Sequence, residues 1–164
     1  LKKVTRLITK ELINTKIKIA VDDMKTFFDI KNPTILVTGL NPHAGENGDL
    51  GDEEIKVIKP AIDELKKHTN ISITGPVSAD IAFSHEKRCQ YDLAVCMYHD
   101  QALIPIKTLD FHNGVNVTLG LDFIRTSPDH GTAFDIAGKN LANPESLISA
   151  INLAYEMSNN KNNA

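Results

Sequence analysis

Three short apolar runs, each separated from the next by a segment long enough for helix, constrain this chain more than any other feature. They are Thr34 to Gly39 (Thr-Ile-Leu-Val-Thr-Gly), Ile71 to Thr74 and Leu93 to Met97. Thr34 to Gly39 and Leu93 to Met97 fit short buried strands, Ile71-Ser72-Ile73-Thr74 reads as a further short strand, and helical segments separate them. The expected fold class is therefore a layered α/β domain. Glu53 to His68 supplies a crossover helix, with Ile55, Val57, Ile58, Ile62 and Leu65 at apolar positions. Pro60 kinks that helix unless it opens a new first turn.

The flanks extend the pattern. Leu1 to about Thr15 reads as helix through Val4, Leu7, Ile8 and Leu12. Lys16 to Val21 alternates like a strand, yet Ile17, Ala20, Val21, Met24, Phe27 and Phe28 fit one helix face. Length favours the helix. Val115 to Leu119 reads as a fourth strand between Gly114 and Gly120. Asn143-Pro144 introduces a terminal helix from Glu145 to about Met157, and the Asn-rich tail from Ser158 to Ala164 is expected to fray. No repeat or interdomain linker is visible, so 1–164 reads as a single α/β unit.

Charge and composition narrow the function classes. A net charge of -3 over 164 residues leaves no basic surplus for nucleic acid or an anionic membrane. No apolar stretch approaches the roughly 20 residues that span a bilayer. The chain starts Leu1-Lys2-Lys3-Val4, with neither an initiator Met nor the apolar core of a signal peptide. The expectation is that a segment precedes it. Cys89 and Cys96 fit a reducing cytoplasm better than a disulfide, and Cys96 lies in an apolar run where it packs as a small hydrophobe.

Open α/β sheets bind ligands in the loops at the strand ends. Two histidines occupy such places: His43 in Gly39-Leu40-Asn41-Pro42-His43-Ala44-Gly45-Glu46, and His99 in Tyr98-His99-Asp100-Gln101. Two imidazoles with a neighbouring carboxylate suggest a divalent-metal site, but an incomplete one, since two nitrogens rarely hold a catalytic metal. Local sequence also allows blander roles. His43 fits a loop histidine satisfied by backbone or water, and Asp100 fits the cap of a short turn at Gln101-Ala102-Leu103. Asp80 fits either a cap or a carboxylate that supports the site. Lys107, Asn116 and Arg125 lie beside apolar runs. The two cations fit a phosphate or carboxylate site, or simply reach out to solvent. The polar stretch from Ser127 to Asn140 carries His130, which with His112 competes for the role of metal ligand. Neither G-x-G-x-x-G nor G-x-x-x-x-G-K-[ST] occurs, so ordinary Rossmann and P-loop readings are poorly supported.

Taken in order, Gly39–Glu46, Gly75–Asp80, Tyr98–Gln101, Gly114–Thr126 and Asp129–Gly138 resemble the 4-hydroxythreonine-4-phosphate dehydrogenase family of vitamin B6 biosynthesis. The resemblance implies an isocitrate/isopropylmalate dehydrogenase-like α/β/α fold, incomplete here because this chain matches the C-terminal half of a family about twice as long. It implies His43 and His99 as ligands of a divalent metal (Zn, Mg or Co). The family's third histidine, in a Thr-His motif, falls just upstream of Leu1. By the same resemblance Lys107, Asn116 and Arg125 bind substrate, while Asp80 and Asp100 maintain the site. The resemblance also implies a homodimer that shares its active site between subunits. The His130–Gly138 stretch resembles the adenosine-binding loop of isopropylmalate and isocitrate dehydrogenases, which implies that His130, Asp135 and Asn143 border NAD, with NADP as the alternative. Phe134 stands where the wider group has proline.

The implied reaction is metal-dependent oxidation of 4-phosphooxy-L-threonine by NAD. Its 2-amino-3-oxo acid product decarboxylates to 3-amino-2-oxopropyl phosphate. The alternatives are a dehydrogenase of another phosphorylated hydroxy acid, or an inactive dimerising fragment. The terminal helix is expected to pack on the missing half.

Overall fold

Thr9 decides where the first long helix begins. Its side chain accepts a hydrogen bond from the Leu12 N–H at 3.1 Å and so caps α2, Lys10–Phe27, after a single turn of helix, α1, at Val4–Leu7. This is a computed structural model, and it describes residues 1–163. Lys16 to Val21, ambiguous in sequence but favoured as helix by length, is wound into α2. Burial explains this outcome. Ile13, Ile17, Ala20, Val21, Met24 and Phe27 form one buried face, whereas the alternating pattern would bury only part of that set.

The three apolar runs form a parallel sheet of β1 (Thr34–Thr38), β2 (Ser72–Val77) and β3 (Leu93–Val95), in the order β2-β1-β3. Ile35 pairs with Ile73 on one side and Leu93 on the other. Ile35 and Val37 face the main core, where they meet Ile17, Val21 and Met24 of α2. The crossover from β1 to β2 contributes Ile58, Ile62 and Leu65 to the same cluster. That crossover opens with one π-helical turn, Glu54–Ile58, and continues as α3, Lys59–His68, with Pro60 in its first turn. Pro60 thus stands where the helix changes from π- to α-type bonding, just after the Lys59 N–H reaches back to the Glu54 carbonyl.

Short helices α4 (Ala79–Ala82) and α5 (His85–Arg88) lead from β2 to β3. Beyond β3, the structure departs from the expectation of a loop. His99 starts an eleven-residue helix, α6, at His99–Leu109, with Pro105 inside it. A separate antiparallel pair follows, β4 (Val115–Val117) with β5 (Thr126–Pro128). The second strand lies in a stretch expected to be loop. The last helix, α7, runs Glu145–Asn163, so the tail through Asn163 is helical rather than frayed. Asn160 Nδ2 donates to the Phe27 carbonyl at 2.9 Å, and Lys161 lies over the Phe27 ring at 5.6 Å. These contacts with α2 supply what composition alone could not. No helix among the described residues is long and apolar enough to cross a membrane.

The strand order places the site. From β1 the chain steps to β2 on one side, then returns past β1 to β3 on the other. β1 and β3 are therefore parallel neighbours whose carboxyl ends lie at the same edge of the sheet, and the loops outside such ends are the usual ligand position in α/β sheets. His43 follows β1, and His99 follows β3.

Candidate functional site

The loop bearing His43 has an unusual backbone. His43, Ala44, Gly45, Glu46 and Asn47 all have positive φ, from 44° to 83°, a left-handed turn within Pro42–Gly48. Each of the four non-glycine residues costs on the order of 1–2 kcal/mol in that conformation. Backbone strain of this kind persists only where surrounding contacts over-determine it, and it concentrates at functional sites.

Glu54, only 3% exposed, is the main such contact. Its Oε1 accepts from the N–H groups of Leu40 at 2.6 Å and Asn41 at 2.8 Å, and its Oε2 accepts from Asn41 Nδ2 at 2.9 Å. Gly39 is required beside it, since a Cβ there would lie 2.9 Å from Glu54 Oε1 and 3.0 Å from Ala44 Cα. Nothing in the sequence singles out Glu54, which stands beside Asp52 and Glu53. The π-helical turn rotates it inward.

His43 itself is exposed and lines a cavity of about 290 Å³ with Asn41, Ser78, Asp80, Tyr98 and Gln101. The Ser78 hydroxyl donates to Asp80 Oδ1. That bond first, with smaller help from the backbone and from the charge of His43, holds the Asp80 carboxyl below its usual range. His99 Nδ1 is 2.8 Å from Asp100 Oδ1, with the two side chains 78% and 63% exposed. A contact so wet contributes little to stability, which leaves the imidazole available to another partner. Asp100 is not a cap, because Tyr98 holds the capping position and makes no side-chain cap bond.

These groups adjoin one another in a chain rather than converging. Asp80 and Asp100 share a groove of about 510 Å³ walled by Phe83, Ile104, Pro105 and Leu109. His99 faces an apolar cleft of about 390 Å³ against Val4, Leu7 and Leu12, and Tyr98 stands between that cleft and the His43 cavity. Among the described residues no three His, Cys, Asp or Glu side chains gather as a metal-binding group. The two imidazoles fit a divalent ion as donors, but they do not make a coordination sphere by themselves.

Gln101 is the residue that ties the two histidine segments together. Its Oε1 accepts from Thr38 Oγ1 at 3.1 Å and Met97 N at 2.8 Å, and its Nε2 donates to the Gly39 carbonyl at 2.8 Å. It is 8% exposed. A glutamine after His-Asp carries no sequence signal for such a role, since only the unexpected helix α6 turns it inward.

The other candidates lie farther along the chain. Lys107 Nζ pairs with Asp129 Oδ2 at 2.9 Å, donates to the Asp129 carbonyl and lies 5.0 Å from the Phe111 ring centroid. It is therefore held rather than extended into solvent. Asn116 sits exposed on β4 opposite Ser127, and Arg125 Nη1 donates to Thr118 Oγ1 at 2.8 Å just before β5. His130 and Asn143 line a cleft of about 190 Å³ with Phe111, His112, Ala133 and Ser146, whereas Asp135 is not part of its wall. Just before α7, Asn143 Oδ1 accepts from the first helical N–H, Glu145 N, at 2.9 Å, and its Nδ2 donates to Glu145 Oε2 at 3.0 Å and contacts His112 Nδ1 at 3.3 Å. Cys89 and Cys96 are both free thiols. Burial pushes the Cys96 thiol up to about 11.

Residues 1–154 match the family model of the pyridoxal phosphate biosynthetic protein PdxA. A 4-hydroxythreonine-4-phosphate dehydrogenase from Bradyrhizobium diazoefficiens is 57% identical over 150 residues, which cover 92% of this chain and 43% of that protein. The crystal structure of a 4-hydroxythreonine-4-phosphate dehydrogenase from Klebsiella pneumoniae superposes with a TM-score of 0.85 at 43% identity, over 96% of this chain and 47% of that one. A terephthalate 1,2-cis-dihydrodiol dehydrogenase from Burkholderia xenovorans is more distant, with a TM-score of 0.73 at 29% identity, over 95% of this chain and 49% of that one. The chain thus spans about half the length of the curated relatives it matches.

Proposed function

The chain belongs to the PdxA family of pyridoxal phosphate biosynthetic proteins, and from that premise we propose that it carries part of the active site of a 4-hydroxythreonine-4-phosphate dehydrogenase. The observation that carries this reading is that His43 and His99 follow the carboxyl ends of two neighbouring parallel strands, β1 and β3. The reaction proposed is oxidation of the secondary alcohol of 4-phosphooxy-L-threonine, with hydride passed to NAD or NADP. The 2-amino-3-oxo acid formed then loses carbon dioxide to leave 3-amino-2-oxopropyl phosphate.

His43 and His99 are proposed as ligands of a divalent ion (Zn, Mg or Co). The ion's coordination is completed by a histidine from the other half of a full-length protein, and the site is shared across a homodimer. When bound, such an ion supplies Lewis-acid polarisation of the substrate hydroxyl. Within this chain, Asp80 and Asp100 maintain the histidines' electrostatic setting. Lys107, Asn116 and Arg125 bind the anionic and polar groups of the substrate, which fixes its orientation. For Lys107, that role requires exchange of its Asp129 contact for substrate. His130 and Asn143 are proposed to border NAD through the cleft they share with Phe111 and His112, with Asp135 nearby in sequence. The outward row of α7 is proposed to receive the other half of a full-length family member. The compartment proposed is the cytoplasm, which suits two free thiols.

The test is NADH formation from 4-phosphooxy-L-threonine by full-length protein in the presence of Zn²⁺, Mg²⁺ or Co²⁺. His43→Ala and His99→Ala are each expected to abolish it, and undiminished turnover in either variant at saturating metal refutes that residue's ligand role. The relative named for a cis-dihydrodiol substrate supports a second reading, a dehydrogenase of another secondary alcohol. Faster turnover of a cis-dihydrodiol or another phosphorylated hydroxy acid than of 4-phosphooxy-L-threonine selects it.

A further inference from the structure

One peptide unit stands between the two histidine segments, and buried side chains hold it from both ends. The carbonyl of the Gly39–Leu40 peptide accepts from Gln101 Nε2 at 2.8 Å, and its N–H donates to Glu54 Oε1 at 2.6 Å. Glu54 belongs to the turn before α3 and also holds Asn41, two residues before His43. Gln101 belongs to the first turn of α6, two residues after His99, and its Oε1 also takes the Met97 N–H that leads into that helix. Both side chains are buried, at 3% and 8% exposure. A third bond, from Gly39 N to the Val77 carbonyl at 2.8 Å, ties the same segment to β2, whose next residues are Ser78 to Asp80.

We infer that Glu54 and Gln101 are positioning residues that act as one clamp on the Gly39–Leu40 peptide and so fix the placement of His43 relative to His99. This rests on the reading of those histidines as metal ligands, although the clamp itself does not. The physical reason is economy of freedom. The left-handed turn at His43 is costly, and His99 is mostly exposed, so neither imidazole is placed by its own packing. Each is placed by its backbone, and both backbones are referred to one buried peptide. Groups that orient metal ligands from behind typically account for about 10–100-fold in metal affinity.

Two nearly isosteric changes separate the parts. Glu54→Gln leaves one acceptor oxygen where three N–H groups need two. Gln101→Glu keeps the acceptor for Thr38 and Met97 but sets an oxygen against the Gly39 carbonyl. Gln101→Met removes all three bonds without burying a charge, and it serves should the glutamate variant not fold. Two readouts are taken on the full chain: backbone amide exchange of Leu40, and binding of Co²⁺ followed by titration and by its d–d absorption.

The clamp predicts Leu40 exchange faster by roughly tenfold in Glu54→Gln, and faster also in the Gln101 variants, which touch only the other end of the peptide. It predicts Co²⁺ affinity weakened by about 10–100-fold in each variant, with an altered d–d spectrum. Wild-type Leu40 exchange in both Gln101 variants overturns the clamp. So does a lowered melting temperature with unchanged Co²⁺ affinity and spectrum, since that is a structural role alone. If His43→Ala and His99→Ala bind Co²⁺ as the wild type does, it is the metal reading that fails, and the exchange experiment still decides the clamp.

Discussion

A run of five left-handed residues at a strand end is where this chain departs furthest from what its local sequence prefers. Gly45 sits at the centre of the run, with φ of 83°, and a Cβ there would lie 2.6 Å from the Gly51 carbonyl and 2.7 Å from Glu54 Oε2. Gly45→Ala is therefore expected to lower stability by about 1–3 kcal/mol in urea denaturation. Gly131→Ala, with nothing within 4 Å of the new methyl, is expected to stay within about 0.5 kcal/mol of wild type. The titrating groups make a second prediction. Asp80 is held low by the Ser78 hydroxyl, so the sign follows directly. A carboxyl whose folded value is depressed contributes its stabilisation above the unfolded value of about 3.9, and loses it as pH falls through the folded one. Ser78→Ala is expected to move the Asp80 carboxyl titration upward, read by the ¹³C shift of its carboxyl carbon, and an unmoved midpoint contradicts the assigned cause. His43, His99, Asp80 and Asp100 were legible as candidates because each follows an apolar run. Glu54 and Gln101 were not, because what makes them matter is inward rotation, which depends on a π-helical turn and on a helix that the sequence does not announce.

At the scale of elements, the strands of the sheet and the α3 crossover were legible because their signal is a strand-length run between turn residues or a sustained helical period. The elements missed were short or broken. The sequence Ile104-Pro105-Ile106 reads as an apolar run interrupted by proline, yet it lies inside α6, and β5 is only three residues long and ends in Pro128. Asn143 shows how one side chain can serve both an element and a site. Its Oδ1 accepts from the first N–H of α7, while its Nδ2 faces His112 across the proposed NAD cleft. Asn143→Ala is expected to cost about 1 kcal/mol through the lost bond. Asn143→Asp, made together with Glu145→Gln, keeps the acceptor and loses the donor without setting a carboxylate against Glu145 Oε2, which Asn143 Nδ2 holds at 3.0 Å. If Asn143 borders NAD, the aspartate variant raises KM for NAD at unchanged urea midpoint. If it serves the helix alone, KM for NAD stays at the wild-type value.

At the scale of the whole molecule, the chain leaves a helix face unpartnered. Ser146, Ala150 and Met157 of α7 are buried against the rest of the fold, whereas Leu147, Ile148, Ile151 and Tyr155 are 48%, 52%, 60% and 69% exposed. Their spacing of one, three and four residues puts them on a single stripe. An exposed apolar stripe of this size marks an interface more often than a free surface. The occupant proposed is the other half of a full-length family member, because the relatives matched are about twice as long as the span they share with this chain. The half supplied in trans gives the test, using the unmatched part of the Bradyrhizobium diazoefficiens relative as a separate polypeptide. Size-exclusion chromatography is expected to show a complex with this chain, and Ile148→Glu with Ile151→Glu is expected to abolish it, since two carboxylates cannot be buried unpaired in an apolar contact. A complex that forms equally well with the doubly substituted chain places that half elsewhere. That outcome frees α7 from the role, while the histidine assignments remain for the Co²⁺ titration to judge. Turnover restored by the complex, and lost again in His99→Ala, would join the two results, because it requires that the partner half complete the coordination that this chain begins.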